Sequence, residues 1–125
     1  MGHQHWMEPK DLAVVTERGL ALLEGSSHPI NYFHAPVPVS AMDKLDAYYE
    51  PLKQLLPKFR EHGTELYLGV VQPERDGTVK RIEAARKAFG DLPFGVATEC
   101  GWGRTPSEDI EKIMKISTEL SEAVL

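Results

Sequence analysis

The sequence of 125 residues has a single cysteine, Cys100, and lacks any apolar run long enough to cross a membrane. One cysteine excludes an internal disulfide framework, and a membrane-spanning helix needs about 20 mostly apolar residues in a row. No apolar stretch follows a charged leader in the manner of a signal peptide. These absences argue against the disulfide-rich secreted class and the membrane-spanning class, and we expect a cytoplasmic protein without a membrane partner.

Basic residues are also scarce. Lysine and arginine number 14 against 19 aspartates and glutamates, for a formal net charge of −5, and no run of basic residues occurs. Nucleic-acid binding needs clustered lysine and arginine to neutralise phosphates, so we expect no nucleic-acid partner. A composition of 42% hydrophobic and 26% charged residues is ordinary for a globular protein. The length suits one domain over residues 1–125.

Short apolar segments alternate with segments of helical periodicity. Pro51 and Pro57 interrupt the second helical segment, which predicts a kinked helix or two short ones. Each connection between two predicted strands contains a helical segment, and connections of that length require the strands to pair in parallel. The predicted fold is therefore α/β with the order α-β-α-β-α-β-α and parallel strands. The predicted strands are 29–37, 64–71 and 94–98, and the predicted helices are about 9–25, 40–63, 76–89 and 106–123.

The apolar residues of the second and third strands predict a partner. We expect them to face inward over a surface that four helices do not cover, so self-association or a complementary chain should shield them. These residues are Leu66, Leu68, Val70, Phe94 and Val96.

Residues 94–104, Phe-Gly-Val-Ala-Thr-Glu-Cys-Gly-Trp-Gly-Arg, carry the most informative pattern. A buried strand is followed at once by Glu99 and Cys100, and Thr105 then predicts the cap of the last helix. Because parallel strands end at one edge of a sheet, Glu99 should lie near His34 and Gln72 on the edge where α/β folds place ligands. The residues alone favour Cys100 as a small buried hydrophobe, since one cysteine is a weak signal. They explain His34 equally well as a packed, hydrogen-bonded side chain or as part of a pocket.

Residues 94–104 resemble the end of the cobalamin-independent methionine synthase family, and more closely its methionine synthase-like relatives in the uroporphyrinogen decarboxylase/methionine synthase barrel superfamily. Residues 34–38, 46–52, 66–71 and 81–85 are also similar, so the resemblance covers nearly the whole chain. It implies the carboxyl-terminal half of a TIM (β/α)8 barrel. A complete barrel needs about 250 residues, and this sequence has 125.

The resemblance also implies a chemistry. In the synthase family a zinc-bound homocysteine thiolate attacks the methyl group of a methyltetrahydrofolate, and a cysteine after the last strand is a zinc ligand. Cys100 matches that cysteine, which implies zinc as a cofactor and a small-molecule thiol as a ligand. The ligand set is incomplete: the family's His-x-Cys pair would precede Met1, and its glutamate falls where this chain has His34. We expect substrate contacts from His34, Gln72, Glu99 and Arg104, and we assign no catalytic residue.

Two functional hypotheses follow. In the first, the chain is a methionine synthase-like half-barrel related to zinc-dependent methyl transfer from a methyltetrahydrofolate to homocysteine. In the second, it is a non-catalytic subunit or remnant that pairs with another chain through its sheet edges. The decarboxylase branch of the superfamily is a third alternative, but the residues around Cys100 favour the methyl-transfer branch.

Overall fold

Three strands form one parallel sheet in the computed structural model, which describes residues 10–99 and 102–121. The strands are β1 (Tyr32–Pro36), β2 (Glu65–Val71) and β3 (Phe94–Thr98), in the spatial order β1-β2-β3. Phe33 lies opposite Leu66, and Leu66 lies opposite Phe94 on the other side. The prediction of an α/β fold with three parallel strands is confirmed, and β3 has the predicted bounds.

Helices fill the connections between the strands. Within residues 10–99 and 102–121, no helix is both long and apolar enough to span a lipid bilayer. The α-helices are α1 (Ala13–Gly25), α2 (Leu45–Tyr49), α3 (Leu56–His62), α4 (Arg75–Phe89) and α5 (Ser107–Leu120), and 3-10 turns occur at Val39–Lys44, Glu50–Leu55 and Trp102–Arg104.

The connection from β1 to β2 is broken into short pieces, as its prolines predict. Pro51 stands in the first turn of the second 3-10 segment, and Pro57 stands in the first turn of α3. A proline in the first helical turn loses no hydrogen bond, whereas in a helix interior it removes one and clashes with the preceding turn. α3 then ends at Gly63, whose φ of 66° lies in the left-handed region that glycine adopts without strain.

The helices bury one face of the sheet. Ala35, Leu66, Leu68 and Val70 alternate along β1 and β2, and each is at most 1% exposed. The expectation that Leu66, Leu68 and Val70 need a further chain to shield them is therefore wrong, because these side chains point towards the helices. Phe94 and Val96 of β3 are half-buried and pack against the same core.

The opposite face of the sheet carries polar and aromatic side chains. We call it the open face and define it by Tyr32, His34, Glu65, Tyr67 and Ala97. Tyr32, His34 and Glu65 are exposed, while Tyr67 and Ala97 are half-buried. Because side chains alternate along a strand, the apolar residues that face the helices leave these others on the far side.

The start of the last helix differs from the expectation. Pro106 occupies the position before α5, and within the described part of the chain that helix has no side-chain cap hydrogen bond. The prediction that Thr105 caps the helix is wrong. The first turn is instead closed by the backbone, since the Asp109 N–H donates to the Pro106 carbonyl at 2.9 Å.

Candidate functional site

His34 links the first strand to the third. It lies two residues before the end of β1, and its Nε2 is 3.1 Å from the Thr98 carbonyl oxygen of β3. Since a carbonyl oxygen only accepts, Nε2 is the donor and carries a proton. The ring crosses β2 at Gly69, where a Cβ would lie 3.0 Å from Nε2 and 3.2 Å from the Thr98 oxygen. A side chain at position 69 would therefore crowd the imidazole ring.

Gln72 follows β2 directly and is half-buried. Its backbone N–H donates to Thr78 Oγ1 at 3.1 Å, and the Thr78 hydroxyl donates to the Glu74 carbonyl at 2.9 Å. Thr78 is fully buried in α4. The start of α4 therefore fixes the loop that carries Gln72 at the carboxyl edge of the sheet.

The structure places Glu99 directly after β3, at the same edge as Gln72, and leaves it half-buried. Arg104 closes the 3-10 turn that precedes α5 and is exposed. Cys100 lies outside the described residues, so its role as a zinc ligand stays a prediction. The expected convergence of Gln72 and Glu99 on one edge holds, whereas His34 reaches that edge only through its ring.

A buried cation lies beneath this edge. Arg81 of α4 is 2% exposed, and its Nη1 donates to the Val70 carbonyl near the end of β2 at 3.2 Å. Burial lowers the pKa of Arg81, while the nearby Glu99 carboxylate, the Tyr49 hydroxyl and the Glu74 carboxylate act in the opposite direction. Among the described residues, Nε of Arg81 has no hydrogen-bond partner.

Tyr49 supports the backbone of this arginine. Its hydroxyl donates to the Arg81 carbonyl at 3.1 Å, and burial raises the pKa of Tyr49. The sequence analysis did not identify Arg81 as a site residue. The helical spacing was the available signal, because Thr78, Arg81 and Ala85 follow at intervals of three and four and are all buried.

A concavity lies on the open face, towards the amino ends of β1 and β2. Its volume is about 580 Å³. The Tyr67 hydroxyl donates to Glu65 Oε2 at 2.9 Å, and this hydrogen bond to a carboxylate raises the pKa of Tyr67. The rings of Tyr32 and Tyr67 stand at 85° with centroids 6.1 Å apart. The lining residues are Asn31, Tyr32, His34, Gly63, Glu65, Tyr67 and Ala97.

The Tyr67 ring packs against Gly95 of β3, where there is no side chain to displace it. A Cβ at position 95 would lie 2.3 Å from Tyr67 Cε1, so the ring lies directly on the glycine backbone. The sequence analysis predicted a strand over residues 64–71 and did not identify Tyr32, Glu65 or Tyr67 as site residues. Their signal was the alternation of apolar and polar residues in Glu-Leu-Tyr-Leu.

The described residues do not make a zinc site by themselves. Within residues 10–99 and 102–121 there is no group of three or more histidine, cysteine, aspartate or glutamate side chains placed to hold a metal ion. The protonated Nε2 of His34 donates to Thr98 and is not available as a ligand in this arrangement.

Comparison with protein family models, curated proteins and solved structures found no match for this sequence.

Proposed function

We propose that the chain is a methionine synthase-like partial barrel, corresponding to the carboxyl-terminal half of a (β/α)8 barrel, that binds a small thiol in the cytoplasm. In this proposal Cys100 contributes to holding a zinc ion, and Gln72, Glu99 and Arg104 surround the thiol. Zinc, when bound, would keep a substrate thiol deprotonated near neutral pH.

The observation that carries the proposal is the His34 contact with β3. The imidazole crosses the sheet to the Thr98 carbonyl, and Thr98 stands two residues before Cys100 in the sequence. His34 is thereby held beside the strand that leads to the cysteine. Parallel strands in consecutive order with helices against one face, as here, also suit a barrel segment.

We propose that the isolated chain binds the thiol but does not methylate it. A catalytic zinc site uses three protein ligands plus the substrate, and the resemblance supplies only Cys100. The homocysteine methyltransferase activity of the resembling family therefore requires further zinc ligands from outside residues 1–125. We expect no methionine from the isolated chain supplied with zinc, homocysteine and a methyltetrahydrofolate.

Native mass spectrometry of the zinc-loaded protein tests the metal site. We expect stoichiometric zinc on the unmodified chain, loss of zinc in Cys100→Ser, and retention of zinc in His62→Gln. His62 is an exposed histidine at the end of α3 and serves as the control. Zinc that is absent from the unmodified chain, or that survives in Cys100→Ser, contradicts the proposal.

The second candidate function is that of a non-catalytic subunit. It is favoured by the edges of the sheet, because β1 and β3 each pair only with β2 among the described strands. The outer edge of such a strand presents backbone N–H and C=O groups that another strand can bind.

A further inference from the structure

The two tyrosines of the open face form a corner. Their rings are nearly perpendicular, and the 6.1 Å between centroids brings the edge of one ring to the face of the other. Tyr32 is 67% exposed, and the Tyr67 ring is supported from below by Gly95. The cavity is therefore lined by two aromatic rings that stand at nearly a right angle to each other.

The charge around this corner is negative. Glu65 places a carboxylate next to Tyr67, with its Oε2 2.9 Å from the tyrosine hydroxyl. No lysine or arginine is among the described residues that line the cavity. The faces of aromatic rings also carry negative potential, which attracts cations. The combination favours a positively charged ligand.

We propose that the corner formed by Tyr32, Tyr67 and Glu65 binds an organic ammonium group, quaternary or methylated. The methyl groups of such a cation are weakly hydrated and pack on the two rings, while Glu65 supplies the opposite charge. The corner lies towards the amino ends of β1 and β2, away from the Cys100 edge, although His34 lines the cavity and also contacts Thr98 at that edge. It does not depend on zinc or thiol binding there.

The same observations disfavour other occupants. A calcium or magnesium ion needs about six oxygen ligands, and Glu65 is the only carboxylate among the described lining residues. A second copy of the chain, seated face to face about a two-fold axis, would place this negatively charged surface on itself. The net charge of −5 makes that contact still less favourable.

Isothermal titration with choline tests the proposal. The control ligand is the uncharged isostere in which a tert-butyl group replaces the trimethylammonium group. Because the attraction is between a cation and the aromatic faces, we expect choline to bind and the isostere to bind at least about fivefold more weakly. Equal binding of the two ligands, or no binding of choline, overturns the proposal.

Substitutions locate the binding to the corner. Tyr32→Leu removes an exposed ring, and we expect it to weaken choline binding about three- to tenfold. Tyr32→Phe keeps the aromatic face and should bind within about twofold of the unmodified chain. Glu65→Gln should weaken binding, whereas Glu83→Gln, which removes an exposed carboxylate on α4, should not.

Thermal unfolding of each variant checks that the fold is retained. Unchanged affinity in both folded variants, Tyr32→Leu and Glu65→Gln, overturns the proposed site. Sedimentation provides a second decisive result. If the unmodified chain is a dimer that Tyr32→Leu dissociates, the open face is a self-association surface and the ammonium proposal is wrong.

Discussion

At the residue scale, the most unusual group is the buried guanidinium of Arg81. A charged group that leaves water loses several kcal/mol of solvation, and opposite charges and hydrogen bonds must compensate for the loss. Here the compensation comes from the Val70 carbonyl and from the Glu99 and Glu74 carboxylates. Arg81 therefore ties α4 to the carboxyl edge of the sheet, next to the residue that precedes Cys100.

Arg81→Met should lower the free energy of unfolding by about 3 kcal/mol, because it removes a buried cation that interacts with the half-buried Glu99. Glu99→Gln should cost less, and adding Glu99→Gln to Arg81→Met should recover part of the loss. Urea denaturation of the two single variants and the double variant measures the coupling. Strictly additive losses would show that Arg81 and Glu99 do not interact.

Tyr49 predicts an alkaline limit to stability. Burial raises its pKa in the folded state above the usual value of 10.0. A raised pKa means that the folded chain keeps the phenol proton where the unfolded chain has lost it. The resulting stability is complete below pH 10 and is lost as the pH rises towards the folded pKa, by up to about 1.4 kcal/mol per pH unit.

The variant Tyr49→Phe has no phenol to titrate, so its free energy of unfolding should fall less steeply above pH 10 than that of the unmodified chain. Tyr32→Phe, at an exposed tyrosine, should follow the unmodified curve. Denaturant titrations at a series of alkaline pH values compare the three proteins. Parallel curves for Tyr49→Phe and the unmodified chain would contradict the prediction.

At the element scale, α1 depends on one close contact. A Cβ at Gly19 would lie 2.9 Å from Leu55 Cδ1 and 3.0 Å from the Phe33 ring, whereas a Cβ at Gly25 would meet nothing within 4 Å. Gly19→Val should therefore destabilise the fold by about 1–3 kcal/mol through overpacking. Gly25→Val, in the last position of the same helix, should change stability by less than about 0.5 kcal/mol. Thermal or urea unfolding distinguishes them, and equal effects would mean that α1 can shift away from the sheet.

Most element positions could be predicted because local chemistry determines them. Pro51 and Pro57 act through their own rings, so the broken helix between β1 and β2 is readable from the sequence. Phe94–Thr98 is an apolar run bounded by turn residues, and its predicted bounds were confirmed. The prediction that Thr105 caps α5 was wrong because Pro106 and a backbone hydrogen bond define the start of that helix. The sequence pattern does not distinguish between these two helix starts.

The candidate site was only partly predictable, because it depends on side-chain direction. Topology brought Gln72 and Glu99 to one edge, as expected. It did not reveal that His34 crosses β2 or that Tyr67 lies on Gly95, since both contacts depend on glycines in neighbouring strands. Arg81 was missed because a charged residue is ordinarily assigned to the solvent side of a helix.

At the scale of the whole molecule, the sheet predicts association. Burial of Leu66, Leu68 and Val70 weakens the apolar argument for a partner, whereas the outer edges of β1 and β3 still favour one. We therefore expect light scattering to show a mass that rises with concentration through edge pairing, and this association should survive Tyr32→Leu. A monomer at every concentration tested would contradict the prediction.

The position of β2 between two strands has a consequence for amide hydrogen exchange. β2 alone among the described strands is hydrogen-bonded on both sides, and Leu68 and Val70 within it are fully buried. Opening its amides requires both neighbouring strands to separate, so their exchange should report the global unfolding free energy. Amides of β1 and β3 that point away from β2 should exchange orders of magnitude faster. Deuterium uptake resolved by peptide would then identify β2 as the last segment to lose protection, and early uptake in β2 would contradict this assignment.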